Sequence, residues 1–222
     1  MTKVVTRTNF DNNLNQLKEM LMEMVRLATD AVRESTEALV AQDLDKAHKI
    51  IEGDNRIDEL ESKINELAVL LIATESPVAT DLRKIIASLK ISSEVERIAD
   101  NAVNIAKAAL HIGKEKHIKE IVDIPRMMEL VIEMLECSLK SFYESDTVLA
   151  RECAKKDDQV DELYGQLVKE LLSYIPQNPA ATNQIQQLAF TCRYIERIGD
   201  HSTNIAEQVI YLVTGKTYDL NT

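Results

Sequence analysis

The sequence predicts an all-α fold of six long helices, arranged as two tandem antiparallel three-helix bundles. Three observations carry this. The 222 residues are 45% hydrophobic but hold only five Gly, four Pro and no Trp, too few breakers for the many turns of an all-β chain. Apolar residues recur with helical period along nearly the whole length. Finally, Glu96–Ala106 returns as Glu196–Ala206 with seven of eleven positions identical, at a shift of 100 residues.

Taken in order, a first helix is expected from about Asn9 to Ala41. Asp43 can cap a second, which carries Ile50, Ile57, Leu60, Ile64, Leu67 and Leu71 on one face. Ser76-Pro77 reads as an N-cap followed by Pro at the first position of a third helix, which runs to a C-terminal Gly113. The fourth is expected from near Ile124-Pro125 to about Leu149, and the fifth from Arg151 to Tyr174. Asn178-Pro179 opens the sixth, which ends near Gly215.

A second stretch also repeats. Asp54–Leu60 (DNRIDEL) returns as Asp157–Leu163 (DDQVDEL) at a shift of 103, and the Pro and Gly landmarks are related by 102. These shifts mark an internal duplication with unequal loops. Short connections make neighbouring helices antiparallel. The expected units are residues 1–113 and 114–222, divided in the charged segment GKEKHIKEIV, with a pseudo-two-fold or screw between them. A homodimer is expected from the exposed long helices.

The charge is acidic, 37 Asp and Glu against 26 Lys and Arg, with no basic stripe. Such a surface repels nucleic-acid backbones and anionic membranes, so direct nucleic-acid binding is not expected and membrane contact should run through a protein partner. The N-terminal MTKVVTRTNFDNN turns polar at once, unlike a signal peptide, and no stretch approaches the roughly 20 apolar residues of a membrane span. Cys137, Cys153 and Cys192 lack CxxC spacing and read as small core residues in a reducing compartment, without metal or redox roles.

Four acidic pairs stand out: Asp54 and Asp58, Glu96 and Asp100, Asp157 and Asp161, Glu196 and Asp200. An i, i+4 spacing puts both carboxylates on one helix face, and two facing helices with such pairs would present four hard oxygen ligands. The spacing alone is common in so acidic a chain. Glu19 and Glu23, Asp30 and Glu34, and Glu129 and Glu133 read as solvated faces. The four chosen pairs differ because they fall in the best-repeated segments of neighbouring helices. Like charges so placed call for a cation, a basic partner, or compensation by Arg97 and Arg197. Asn104 and Asn204 continue the stripe, and His201 is the one histidine beside a candidate site; His48, His111 and His117 read as surface residues near helix ends. Met20, Met22 and Met24 read as core and helix filler. No Glu-x-x-His, Gly-rich phosphate loop, nucleophile elbow or Cys-His pair occurs, which weighs against a carboxylate-bridged metal oxidase or hydrolase, the alternative function class.

The doubled ERIxD segments, with IIEGDNRID upstream and SPVATDLR opening the third helix, resemble the PhoU family over essentially the whole chain. The resemblance implies a cytoplasmic, non-enzymatic negative regulator of phosphate uptake and phosphate-starvation signalling. Its implied partners are the phosphate ABC transporter ATPase and a phosphate-sensing histidine kinase. It also implies a multinuclear metal, iron or zinc before manganese or magnesium, on the eight carboxylates named above; some relatives carry such clusters and others show none. Ala99, where the family's Gly stands at Gly199, and Asn101, opposite His201, make the two sites unequal, with the first the weaker expectation.

Overall fold

A computed structural model describes residues 2–221, with side-chain surroundings from Asn9 onward. Met1 and Thr222, the outer limits of the two expected units, lie outside the described residues. The helices are α1 (Thr2–Ala41), α2 (Leu44–Gly53), α3 (Asn55–Glu75), α4 (Ala79–Ile112), α5 (Asp123–Glu144), α6 (Thr147–Ala154), α7 (Asp157–Ser173) and α8 (Thr182–Thr214). A 3-10 turn at Pro179–Ala181 precedes α8, and no strand occurs among the described residues. The six expected rods are present. The second and fifth are each broken near their repeated acidic segment, into α2–α3 and α6–α7.

Several expected helix ends hold for the expected reasons. The Asp43 carboxylate accepts the Lys46 backbone N–H at 2.9 Å, capping α2. Gly113 (φ 68) and Gly215 (φ 71) close α4 and α8 with a backbone that side chains resist. Pro179 opens the turn into α8. Two ends differ. Ser76 does not cap α4; it adopts a left-handed conformation (φ 48) that terminates α3, and α4 begins only at Ala79. The turn between the fourth and fifth rods falls at Ser145–Asp146, earlier than expected, because Asp146 accepts from both Val148 and Leu149 N–H and starts α6 there.

The first bundle comprises α1, the α2–α3 rod and α4; the second comprises α5, the α6–α7 rod and α8. Their most extensive mutual contact is between α4 and α8, and α1 also packs on α5. Arg83 reaches the Leu212 carbonyl (3.1 Å), Lys90 lies over Tyr211, and Glu94 meets His201 and Asn204. Rising numbers on α4 therefore meet falling numbers on α8, so the two helices are antiparallel. Such a pairing fits the pseudo-two-fold expected from the repeat.

Small residues are frequent on both central helices. Ala99, Ala102, Ala106, Gly199, Ser202 and Ala206 are all buried. Two buried hydroxyls of α8 bond back to their own helix, Ser202 to the Ile198 carbonyl (2.8 Å) and Thr191 to that of Gln187 (3.0 Å), whereas Thr203 Oγ1 is buried without a partner among the described residues. One apolar cluster runs through both bundles, with Leu21, Met24, Ile64 and Ile98 from one half and Met127, Leu135, Leu188 and Ile195 from the other. The linker at 113–122 is held from both sides. Gln42 donates to the Gly113 and Glu115 carbonyls, while Gln184 accepts from Ile118 N–H and donates to the Lys116 carbonyl. Met24 is in the core, whereas Met22 is half exposed.

The cysteine expectation requires correction. Cys137 on α5 and Cys153 on α6 form a disulfide, with Cα atoms 5.8 Å apart, and only Cys192 is a free buried core thiol. The reversal at Ser145–Asp146 folds α6 against α5 and makes neighbours of residues 16 apart, which linear spacing does not reveal.

Packing at Ala102 yields a direct test. Ala102→Leu adds three carbons at a fully buried position and should lower stability by about 1–3 kcal/mol, several degrees in Tm. Ala73→Leu, on an exposed helix face, should leave Tm nearly unchanged in the same thermal melt.

Candidate functional site: two repeated carboxylate clusters

Packing of α3 on α4, and of α7 on α8, brings the eight sequence-selected carboxylates into two groups. In the first, Asp54 at the α2–α3 break feels Asp58 on its own rod and Asp100 on α4. Glu96 feels Asp100, Glu61 and Asp58. In the second, Asp157 at the start of α7 feels Asp200, Asp161, Glu196 and Asp158, and both Glu196 and Asp200 feel Asp161. The duplicated pattern thus becomes duplicated geometry. Glu61 and Asp158 join these groups unforeseen; their signal was proximity to Asp58 and Asp161, one turn along the same rods.

The clusters differ in burial. Asp157 and Glu196 are only 8% and 7% exposed, whereas Asp54 and Glu96 are half-buried and Asp58, Asp100 and Asp161 exposed. Asp157 Oδ1 and Glu196 Oε2 are buried without a hydrogen-bond partner among the described residues. Gly199 explains the closer fit: a Cβ there would lie 3.2 Å from Asp157 Oδ1, and Ala99 carries that methyl in the first copy. The two clusters thus differ in packing at the Ala99 and Gly199 positions, and the second is the more enclosed.

Electrostatics follow from burial and crowding. Desolvation, then Asp200, Asp161 and Glu196, pushes the Asp157 carboxyl up to about 7. Desolvation, then Asp58 and Asp100, pushes Asp54 up to about 6, with Lys107 opposing. Glu96, Glu196 and Asp200 are raised for the same first cause, loss of water. Arg97 supplies part of the compensation at Glu96 and Arg197 part of it at Asp200, although both are exposed. Arg193 adds a direct ion pair with Glu196.

Two neighbouring residues take other roles. His201 places its Nδ1 2.8 Å from Glu94 Oε2 on α4, and Asn204 donates to the same oxygen at 2.9 Å. They bridge the two bundles. Asn101, in the His201 position of the first copy, donates to the Arg97 carbonyl of its own helix. His48 and His111 are exposed, and half-buried His117 meets the Leu39 carbonyl. Of the pairs read as solvated, Glu23, Asp30 and Glu133 form partly exposed ion pairs with Arg56, Arg26 and Lys156. Asp30 and Glu34 also share a 260 Å³ groove with Asp54.

The second cluster opens into a 390 Å³ groove whose rim is formed by α6 and the C-terminal segment, a feature that no sequence signal indicated. Arg151 stacks over the Tyr218 ring at 4.8 Å, and the Leu220 N–H donates to Glu207 Oε1 at 2.7 Å. Leu220 packs against Ala150, Ala206, Val209 and Ile210.

All-carboxylate donors are hard oxygens suited to a divalent cation. The orphaned oxygens of Asp157 and Glu196 are acceptors without a donor, as a cation would require. Among the described residues no three His, Cys, Asp or Glu side chains already converge as ligands, so binding would draw the carboxylates together by side-chain rotation.

The sign of the pH effect follows from these shifts. A carboxyl raised above its unfolded value of about 3.9 favours the folded state when protonated. That contribution is complete below about pH 4 and is lost as pH rises through about 6 for Asp54 and 7 for Asp157. Without divalent cations, Tm should fall between pH 5 and pH 8. Asp157→Asn should flatten that slope and raise Tm by a few degrees at pH 8, as followed by circular dichroism. Equal slopes for the two proteins would contradict the electrostatic account.

The comparisons with known proteins agree with the repeated helical fold. The PhoU domain model matches twice, at residues 21–109 and 124–209, once in each half. The phosphate-specific transport system accessory protein PhoU homolog of Clostridium acetobutylicum is 39% identical over 218 residues, covering 98% of this chain and 100% of that one. The Aquifex aeolicus homolog is 41% identical over 203 residues, covering 91% and 92%. Among solved structures, PhoU from Pseudomonas aeruginosa superposes with a TM-score of 0.89 at 33% identity, covering 93% of this chain and 100% of that one. The phosphate transport system regulatory protein PhoU from Streptococcus pneumoniae gives 0.88 at 28%, covering 95% and 99%. With both repeats matched and relatives aligned nearly end to end, the chain belongs to the PhoU family.

Proposed function

We propose that this chain is a cytoplasmic negative regulator of phosphate uptake and of the phosphate-starvation response. It acts by contact with the ATPase of a phosphate ABC transporter and with a phosphate-sensing histidine kinase, and it is not an enzyme. The observation that carries this reading is full-length similarity to accessory proteins of phosphate-specific transport systems, joined to two carboxylate faces that suit binding more than turnover. No helix among the described residues is long and apolar enough to cross a membrane, in keeping with a role beside a membrane transporter rather than within the bilayer.

The carboxylate faces give the regulator a physical handle. A divalent cation, iron or zinc before manganese or magnesium, would be held by Asp54, Asp58, Glu96 and Asp100 in one bundle and by Asp157, Asp161, Glu196 and Asp200 in the other. When bound, it supplies positive charge that offsets the crowded carboxylates. Asp54 and Asp157 start the outer helices, so drawing them toward Asp100 and Asp200 ties α3 to α4 and α7 to α8. The surface offered to partners then depends on that tie. Exposed apolar side chains, including Val69, Leu70 and Val78 at the α3–α4 end, supply contact area for partners or for a second copy in a homodimer.

Deleting the gene should switch on phosphate-starvation genes in phosphate-rich medium. Wild-type protein should restore repression, whereas Asp100→Ala/Asp200→Ala should restore it poorly at equal abundance. Normal repression in the deletion strain would overturn the regulatory reading. Full complementation by the double variant would sever regulation from the acidic faces.

A further inference from the structure

Outside the carboxylate clusters, the chain holds one more chemically competent pair. Cys137 and Cys153 are joined across α5 and α6, and both lie in the second half; the first repeat has no cysteine. In the cytoplasm proposed above, thiols are kept reduced, and a disulfide found there is a transient or redox-sensing bond. We propose that Cys137–Cys153 is a site of reversible thiol–disulfide exchange with a cellular dithiol, and that its state sets the order of α6 and thereby the shape of the second carboxylate site.

The position of the bond gives it leverage. Cys153 sits near the end of α6, one turn before Asp157, the first carboxylate of the second cluster. The same short helix contributes Arg151, Ala154 and Lys155 to the rim of the 390 Å³ groove that Asp157, Asp161 and Asp200 line. A helix of eight residues is marginal by itself and depends on its anchors. Those anchors are the Asp146 cap, burial of Ala150 against α8, and the covalent tie to α5. Opening the tie removes the only covalent one. The corresponding α2 has no such device, so the two sites respond differently to the thiol state.

The exchange balances without further reactants. Cys137 is partly exposed and Cys153 is buried, so a dithiol's thiolate attacks the Cys137 sulfur. The Cys137–Cys153 bond breaks, and Cys153 leaves as a thiolate that takes a proton. The second thiol of the reductant then attacks its own sulfur in the mixed disulfide and releases Cys137 as a thiol. The protein gains two electrons and two protons, and the dithiol becomes a disulfide.

The structural part of the proposal stands apart from the cation; its consequence for ligand affinity rests on the cation reading. The test is amide hydrogen exchange on the whole, metal-free chain, oxidised and after native treatment with dithiothreitol or a thioredoxin-type protein. Titratable thiols in denaturant should rise from one to three. Exchange in peptides spanning 147–161 should quicken at least tenfold on reduction, while peptides spanning 44–58 stay unchanged. Cys137→Ser/Cys153→Ser, or Cys137→Ser alone, should show the fast exchange with or without reductant. A bond that resists both reductants in the native protein, or exchange unaltered by reduction, overturns the proposal. A Mn²⁺ titration by calorimetry separates the two ideas: about tenfold weaker binding at one site after reduction supports the coupling. Binding in neither state removes the cation reading and leaves the exchange rates to decide the switch.

Discussion

Antiparallel packing of α4 along α8 organises the molecule, because each is the innermost helix of its bundle and the other rods are arranged on them. Small buried residues line both helices; Gly199 faces Asp157 and Val160 of α7 and Met134 of α5, so it lets the outer rods of its own bundle come close. Thr191 and Ser202 bond back to carbonyls of the preceding turn, while Thr203 Oγ1 is buried without a partner among the described residues, so polar demands along the seam are few. The main one is met by Glu94, which receives His201 and Asn204 from the opposite half. These hydrogen bonds help hold the Glu94 carboxyl ionised, below the usual range, despite its desolvation. The partnership fixes the register of one bundle against the other.

From this seam outward, the two acidic clusters are consequences of where α3 and α7 can lie. Each packs on its central helix so that carboxylates one turn apart on one rod meet carboxylates on the other. An uncompensated cluster of this kind opposes folding when ionised, and protein cations relieve it only in part, through Arg193 at Glu196 and Lys107 near Asp54. The second cluster is the more demanding because Gly199 lets Asp157 settle deeper. Under the proposed cation reading, the feature that makes it costly in the free protein would also make it the better place for a divalent cation.

The sequence revealed the repeat, the rods and the eight carboxylates, because those follow from periodicity, capping chemistry and identity between halves. Asp43, Gly113 and Gly215 could be read as helix ends since each supplies a local cap or conformation. Ser76 misled: a Ser before Pro suits an N-cap, yet the residue took the left-handed conformation that terminates α3. What stayed hidden was long-range. The Cys137–Cys153 bond depends on a turn placed at Ser145–Asp146, the partner of His201 comes from 107 residues away, and the groove rim at Tyr218–Leu220 depends on the chain end folding back over α6 and α8. None of these leaves a periodic trace.

The central proposal is that the crowded carboxylates of both bundles bind a divalent cation. Elemental analysis of untagged protein prepared without chelators, wild type beside Asp157→Ala/Glu196→Ala, tests it most directly. The account predicts whole equivalents of iron, zinc or manganese per chain in the wild type, with the second site's share lost in the variant while it remains folded. Metal-free wild-type protein that takes up no added divalent cation would contradict it and leave the acidic faces as docking surfaces alone.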